Sequence, residues 1–151
     1  MQQRKPTVGL TIASDFHFVE LAEIVTKHVA ELVGFDEDAA GWISMAVREA
    51  VINAIKHGNK QDRNKPVEIE FSFNADTITI QVMDRGEGFD LADVPDPLDP
   101  ENLLKPSGRG IFYIRSFMDE VHFSSRPGGG TIVSMVRRKS RKEGEKKDAD
   151  H

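Results

Sequence analysis

Hydrophobic and polar residues alternate in the first segment of the chain and then recur at helical spacing. Over residues 6–14 the period of two predicts a strand. Ser14-Asp15 offers an N-cap for a first helix, and Gly34 ends that helix as a C-cap. The apolar positions of this predicted helix are Phe18, Leu21, Ala22, Val25, Val29 and Leu32. The first two predicted elements are thus a strand and a helix.

A second helix and a hairpin follow in the pattern. Apolar residues at helical spacing predict a helix over about residues 37–56, capped by Asp36 and ending before Gly58. Two runs with strict alternation, residues 67–73 and 77–83, are separated by a short polar turn. Two alternating runs joined by a close turn predict a β-hairpin.

The pattern dissolves over residues 84–107 into Gly, Asp and four prolines, which predicts a long loop. A third helix is predicted over residues 110–118, before strands at residues 120–124 and 131–138 around a Pro-Gly-Gly-Gly turn. Residues 139–151 are strongly charged with a single apolar residue, and such a composition predicts a disordered tail.

The order of the elements predicts the fold class. Strands joined by close turns favour an antiparallel sheet, and helices between them must bury one face against it. We therefore expect an α+β two-layer sandwich with a mixed, mostly antiparallel sheet and the helices on one face. One domain is expected over residues 1–138, which suits a chain of 151 residues.

Composition excludes several classes of protein. The chain has 20 Lys and Arg against 25 Asp and Glu, a net charge of −5, which disfavours nucleic acid as a partner. It contains no cysteine, which excludes a disulfide scaffold, a thiolate zinc site and a cysteine nucleophile. No apolar run is long enough for a membrane span, and no secretory signal pattern is present. We expect a soluble cytoplasmic protein with protein partners.

One side of the second predicted helix carries polar residues in register. Glu49, Asn53 and His57 are spaced i, i+4, i+8, on the side away from an apolar stripe. This side is either a solvated face or a carboxylate and an amide presented side by side. In the second case Glu49 could act as a general base, and the Asn53 oxygen suits Mg²⁺. The apolar stripe consists of Ile43, Val47, Ala50, Val51 and Ala54.

Two glycine-rich segments could contact a ligand. Asp84 directly follows a predicted strand and begins Asp84-x-Gly86-x-Gly88, where an ionised carboxylate could accept from an amino group of a planar base. Ordinary turn chemistry explains this segment equally well. Gly108-Arg109-Gly110 lies at the start of the third helix, where free N–H groups favour an anion.

The order and spacing of these segments resemble the GHKL (Bergerat-fold) ATP-binding family, over about residues 8–138. Within that family the chain is similar to bacterial anti-sigma factor serine/threonine kinases. The segments are EAVINAIKHG at residues 49–58, Asp84-x-Gly86-x-Gly88, Gly108-Arg109-Gly110-Ile111, Met118-Asp119-Glu120-Val121 and Gly130-Thr131. A combination in this order is a far stronger indication than any one segment.

The resemblance implies a general base, a metal ligand and three residues of an adenine pocket. Glu49 would be the general base that activates the attacking hydroxyl group. Asn53 would coordinate the Mg²⁺ that bridges the ATP phosphates. Asp84 would accept from the adenine amino group, and Gly86 and Gly88 would shape the adenine pocket.

The same resemblance implies the phosphate-binding residues, the role of Thr131 and the partners. Gly108, Arg109 and Gly110 would receive the phosphates beneath a lid at about residues 89–107, and Thr131 would support the adenine end. The implied partners are ATP, Mg²⁺, a sigma factor and an anti-sigma factor antagonist protein, with the chain as a homodimer.

The resemblance leaves three functions to distinguish. The first is a serine/threonine kinase and anti-sigma factor in a partner switch, phosphorylating the antagonist. The second is an ATP-gated binding module without kinase activity. The third is a histidine-kinase catalytic domain acting alone. This function is the least favoured, because only one strand is predicted before the first helix, which leaves no room for a dimerisation hairpin with a phosphoacceptor histidine.

Overall fold

The computed structural model describes residues 6–86 and 109–139, and in residues 109–112 the backbone only. Within these residues, five strands form one sheet, and three α-helices accompany it. The strands are β1 (Thr7–Ile12), β2 (Val67–Phe73), β3 (Thr77–Met83), β4 (Glu120–Ser125) and β5 (Thr131–Arg138). The helices are α1 (Val19–Val33), α2 (Glu37–Asn53) and α3 (Arg109–Phe117). All five predicted strands and all three predicted helices are therefore present.

The strand order in the sheet is β1-β2-β3-β5-β4, and each of these four pairings is antiparallel. The sheet formed by the described residues thus has no parallel pair. The register is set by the alternation of apolar and polar residues: Leu10 lies opposite Ile69, and Ile69 lies opposite Val82. A slip by one residue would turn each apolar set towards solvent, which fixes this register.

The core lies between one face of the sheet and α1 and α2. The predicted apolar stripe of α2 is buried, with Ile43, Val47 and Val51 fully inaccessible to solvent. Opposite it, alternate residues of β2 and β3 are buried, and Phe71 is the largest of the fully buried side chains. This arrangement confirms the predicted α+β sandwich.

The buried face of α1 differs from the apolar set on which the helix was predicted. Phe18, Leu21 and Leu32 are exposed, and Phe18 precedes the helix. The face on the core includes Thr26, whose hydroxyl donates to the Ala22 carbonyl at 2.6 Å. Because this bond satisfies the hydroxyl within the helix, a polar residue can lie in the core. The buried residues of α1 are Val19, Ala22, Thr26, Val29, Ala30 and Val33.

The predicted N-cap of the first helix is right in part. Asp15 accepts from the His17 N–H at 3.0 Å, but it caps a 3-10 turn, Phe16–Phe18, that precedes α1. Ser14 is not a cap, because its hydroxyl donates to the Lys65 carbonyl at 2.5 Å. The predicted C-cap of α1, Gly34, and the predicted N-cap of α2, Asp36, are confirmed.

Gly34 ends α1 with φ of +105°, and the Asp36 carboxylate accepts from the Ala39 N–H at 2.7 Å to start α2. The end of α2 is the larger departure, since α2 stops at Asn53 and continues as one π-helical turn, Ala54–Gly58. Such widened turns are rare and often occur at functional sites.

Parts of the prediction lie outside the described residues, namely the lid at residues 89–107 and the tail from residue 140. Lys139 itself is hydrogen-bonded, from its N–H to Asp76 and from its amine to the Ala75 carbonyl, each at 2.8 Å. No helix in the described part of the chain is long and apolar enough to cross a bilayer.

Candidate functional site

Asp84 lies at the end of β3 with 2% of its surface exposed. Its Oδ1 accepts from the Gly86 N–H at 3.0 Å and from the Thr131 N–H at 3.2 Å. Its own N–H donates to the Thr131 carbonyl at 3.0 Å. The loop after β3 and the start of β5 therefore hold this carboxylate in one orientation.

The second oxygen of Asp84, Oδ2, has no hydrogen-bond partner among the described residues. Burial raises the pKa of this carboxyl, while the N–H groups of Gly86 and Thr131 and the charges of Arg126 and Lys65 act to lower it. A buried acceptor without a donor costs free energy, which a donor on a ligand would recover. Oδ2 can therefore accept from an amino group.

Three glycines surround Asp84 because the backbone segments approach too closely for a side chain. A Cβ on Gly58 would overlap the Asp84 carboxylate, and a Cβ on Gly86 would overlap the Gly58 carbonyl. A Cβ on Gly130 would overlap the Asp84 carbonyl, and Gly130 also has φ of +117°, which disfavours any other residue. The π-turn at the end of α2 carries Gly58 into this cluster.

Asn59, which the sequence analysis did not single out, connects the cluster to the rest of the fold. It is 1% exposed, and its Oδ1 accepts from the Arg85 N–H at 2.7 Å. Its Nδ2 lies 2.8 Å from Ser14 Oγ, 2.9 Å from the Lys65 carbonyl and 3.1 Å from the Pro66 carbonyl. Nothing in the local sequence pattern distinguishes Asn59 from a surface asparagine, because these partners are remote along the chain.

A second group that the sequence analysis missed is an ion-pair cluster beside Asp84. Glu68 on β2 pairs with Arg85 at 2.7 Å and with Arg126 at 3.1 Å. The guanidinium of Arg85, hydrogen-bonded to Glu68, is the main cause that lowers the pKa of that carboxyl, and Arg126 adds to it. Arg126 also contacts the Asp84 carbonyl, at 3.5 Å. The cluster joins β2, the loop after β3 and the turn before β5.

Glu49 is half-buried on α2 and makes no hydrogen bond or ion pair with any residue that the structure describes. Burial raises the pKa of its carboxyl, the nearby Arg48 charge lowers it, and the Glu23 charge raises it. A partly desolvated, unpaired carboxylate is a stronger base than an exposed one.

Asn53 follows Glu49 by four residues, so the two side chains lie on the same side of α2. Its amide is half-buried and also lacks a hydrogen-bond partner among the described residues. His57, four residues further along, lies on the π-helical turn and is more exposed than Asn53. Burial, with a smaller contribution from Lys56, lowers the pKa of His57.

The predicted phosphate-binding residues are only partly described. Gly88 and Gly108 lie outside the described residues, and Arg109 and Gly110 form the first turn of α3 without described side chains. Residues 6–86 and 109–139 contain no cluster of three or more His, Asp or Glu that could hold a metal.

Comparison with known families adds to this geometry. The family described as Histidine kinase-like ATPase domain matches residues 13–137 of the 151-residue chain. The chain belongs to this family. The match includes both α2 and the Asp84 cluster, so the expected GHKL membership is confirmed.

The chain is similar to several relatives named Serine-protein kinase RsbW. The protein from Oceanobacillus iheyensis is 31% identical over 133 residues, covering 84% of each chain. The protein from Staphylococcus aureus is 31% identical over 144 residues, covering 91% of this chain and 89% of the relative. Among Histidine kinase-like ATPase domains, this chain is thus similar to serine-protein kinases over most of its length.

A solved structure agrees at the level of the fold. It contains the RsbU and RsbW domains of Rv1364c from Mycobacterium tuberculosis and matches with a TM-score of 0.65 at 18% identity. The match covers 90% of this chain and 33% of that one, so the chain spans about a third of the solved protein.

Proposed function

We propose that this chain is a serine/threonine-protein kinase that transfers the γ-phosphoryl group of ATP to a protein hydroxyl. The observation that carries the proposal is Glu49, a half-buried carboxylate without a described partner, within a chain that belongs to the Histidine kinase-like ATPase domain family. The relatives named as serine-protein kinases support protein serine or threonine as the acceptor.

The surroundings of Asp84 suit an adenine base. Oδ2 would accept from the exocyclic amino group, and Oδ1 is already occupied by two backbone N–H groups. Gly58, Gly86 and Gly130 allow the segments around Asp84 to pack closely, which fixes the carboxylate that would bind the base. Gly88 and the Thr131 hydroxyl complete the adenine end in this proposal.

Asn53 would hold Mg²⁺ through its amide oxygen, and Gly108, Arg109 and Gly110 would receive the phosphates at the start of α3. When bound, Mg·ATP supplies the phosphoryl group and the cation that neutralises its charge. The N-terminal N–H groups of α3 favour an anion at this position.

Glu49 would accept the proton of the attacking hydroxyl as that group approaches phosphorus. Its raised pKa suits this task, because a base whose pKa lies nearer to the working pH takes the proton more readily. Phosphoryl transfer otherwise needs mainly positioning and charge neutralisation, so one base on a rigid helix suffices.

The partners that we propose are a small antagonist protein, phosphorylated on Ser or Thr, and a sigma factor that the chain sequesters when the antagonist is phosphorylated. The chain would act as a homodimer in the cytoplasm. These partners come from the resemblance to anti-sigma factor kinases.

The decisive assay is transfer of label from γ-labelled Mg·ATP to a cognate antagonist. We expect an acid-stable phosphoester on Ser or Thr, lost in Glu49→Gln while ATP still binds. An acid-labile product would indicate a phosphohistidine instead. ATP binding without any transfer, and regulation unaffected by Glu49→Gln, would favour the ATP-gated binding module.

A further inference from the structure

Arg48, which precedes Glu49, is paired with a carboxylate on the neighbouring helix. Its Nε lies 3.5 Å from Oε1 of Glu23 on α1. The Arg48 side chain is 49% exposed and that of Glu23 is 30% exposed, so the pair lies at the rim of the contact between α1 and α2. An isolated pair at such a position contributes little to stability.

Glu23 is nevertheless held in place by its surroundings. The Ser44 hydroxyl on α2 donates to the Glu23 carbonyl at 3.0 Å, which fixes this turn of α1 against α2. Ala22 and Thr26, close to Glu23 on α1, are fully buried. The Glu23 carboxylate therefore projects from a rigid part of the helix.

Arg48 directly precedes Glu49 on α2, so the ion pair begins at the residue next to this carboxylate. After burial, the charges that shift the pKa of Glu49 are those of Arg48, which lowers it, and Glu23, which raises it. Other titratable groups with described side chains also lie on the elements that pack on α2, and none of them contributes to the shift. They are Glu20, Lys27, His28 and Glu31 on α1, Tyr113 and Arg115 on α3, and Lys56 and His57 on the π-turn. An Arg48 released from Glu23 would be a long, flexible cation next to an unpaired carboxylate.

We propose that Glu23 is a positioning residue for phosphoryl transfer, because it holds the Arg48 guanidinium on α1 and so leaves the Glu49 carboxylate free. The inference rests on the proposed function, in which Glu49 takes the proton. Without Glu23, Arg48 would stabilise the ionised form of Glu49 and weaken it as a base.

The test uses the full chain with Glu23→Gln, Arg48→Gln and the double variant. The pKa of Glu49 is followed by carboxyl-carbon NMR, with its signal assigned by its loss in Glu49→Gln. Glu31→Gln is the matched control, since Glu31 is an exposed carboxylate on the same helix. The pH dependence of transfer to the antagonist is measured in parallel.

We expect Glu23→Gln to lower the pKa of Glu49, move the acid limb of the rate profile to lower pH and slow transfer roughly threefold at neutral pH. Arg48→Gln should move the pKa and the acid limb upwards, and the double variant should stay close to Arg48→Gln, because Glu23 acts through Arg48. An equal shift by Glu23→Gln with and without Arg48 would show a direct charge effect and would overturn the inference. The control should change neither.

A purely structural role for Glu23 would lower stability in both single variants without opposite shifts of the Glu49 pKa, and that result would overturn the inference. The NMR titration separates this failure from failure of the proposed function. If no variant transfers phosphate, the kinase proposal fails, and the direction of the Glu49 shifts still decides whether Glu23 controls that carboxyl.

Discussion

Asp84 and Glu49 are both carboxylates whose pKa is raised by burial, but the molecule holds them in opposite ways. Asp84 is 2% exposed, fixed by two backbone N–H groups and enclosed by glycines from three segments. Glu49 projects from the C-terminal part of α2 and has no partner among the described residues.

In the proposed function, this difference separates the residue that binds the nucleotide from the residue that takes part in the chemistry. A ligand is oriented best by groups that cannot move, and backbone N–H groups and close-packed glycines provide such rigidity. A base must instead change its protonation state, and each hydrogen bond to its charged form would oppose that change. We infer that Asp84 belongs to a preformed pocket and that Glu49 is kept unpaired at some cost in stability.

The largest expected effect is a loss of stability in the closely packed region around Asp84. Gly130→Ala should lower the free energy of unfolding by about 2–4 kcal/mol, because φ of +117° is unfavourable for alanine and the new Cβ would overlap the Asp84 carbonyl. Urea denaturation measures this loss. Gly41→Ala, in α2 with open space around its Cβ, is the matched control and should gain up to about 1 kcal/mol. Equal stability of Gly130→Ala and wild type would contradict the close packing.

Two asparagines six residues apart sharpen the comparison. Asn59→Ala should cost about 2–3 kcal/mol of stability, because it leaves the partly buried Arg85 N–H and several oxygen atoms without a hydrogen-bond partner. Asn53→Ala should change stability by less than about 0.5 kcal/mol, since its amide has no partner among the described residues. Thermal and urea unfolding compare the two. A larger loss of stability for Asn53→Ala than for Asn59→Ala would contradict the comparison, because the closer packing would then lie around Asn53.

Nucleotide affinity tests the carboxylate of the pocket. Asp84→Asn keeps an oxygen for the Gly86 and Thr131 N–H groups but replaces the second oxygen, which would accept from the adenine amino group, with a donor. We expect ATP affinity to fall about 10–100-fold, measured by calorimetry with and without Mg²⁺, with the fold intact. Asp38→Asn, an exposed carboxylate on α2, should bind as wild type. Unchanged affinity in Asp84→Asn would place the nucleotide elsewhere.

The smallest effect concerns pH and stability at Glu49. Burial raises the pKa of Glu49 in the folded state above its value in the unfolded state, so ionisation of Glu49 destabilises the fold. This cost is absent at a pH below the unfolded-state pKa and grows as the pH rises through the folded-state pKa. Glu49→Gln should therefore raise Tm by about one to two degrees at neutral pH and not in acid, a small value because the group is half-exposed.

Glu68 should behave in the opposite way and so serves as the control. Its pKa is lowered by Arg85 and Arg126, so its stabilisation is present above the unfolded pKa and disappears as pH falls through the folded one. Glu68→Gln should lower Tm at neutral pH and have little effect in acid. The same sign for both variants would contradict the comparison.

Much of the fold was predictable because local patterns suffice for it. Alternation gave β2, β3 and β5 within a residue of their observed bounds, and Asp36 and Gly34 marked the ends of two helices. The buried face of α1 was not predictable in this way. Thr26 is polar in sequence, and only its bond to the Ala22 carbonyl allows it to lie in the core.

The candidate site shows the same limit. Asp84 could be singled out because an acidic residue follows a strand and precedes spaced glycines. The role of Asn59 depends on Ser14, Lys65 and Arg85, which are brought together only by the tertiary fold. The π-turn likewise has no local signal, since Gly58 packs against a carboxylate 26 residues further along the chain.

The most direct test of the division between binding and chemistry is to measure ATP affinity and single-turnover transfer together, in Asp84→Asn and Glu49→Gln. We predict that Glu49→Gln binds ATP within about twofold of wild type while its transfer rate falls about 10²–10⁴-fold. Asp84→Asn should lose affinity instead and recover transfer at saturating ATP. Transfer at the wild-type rate by Glu49→Gln, with ATP bound normally, would contradict the account.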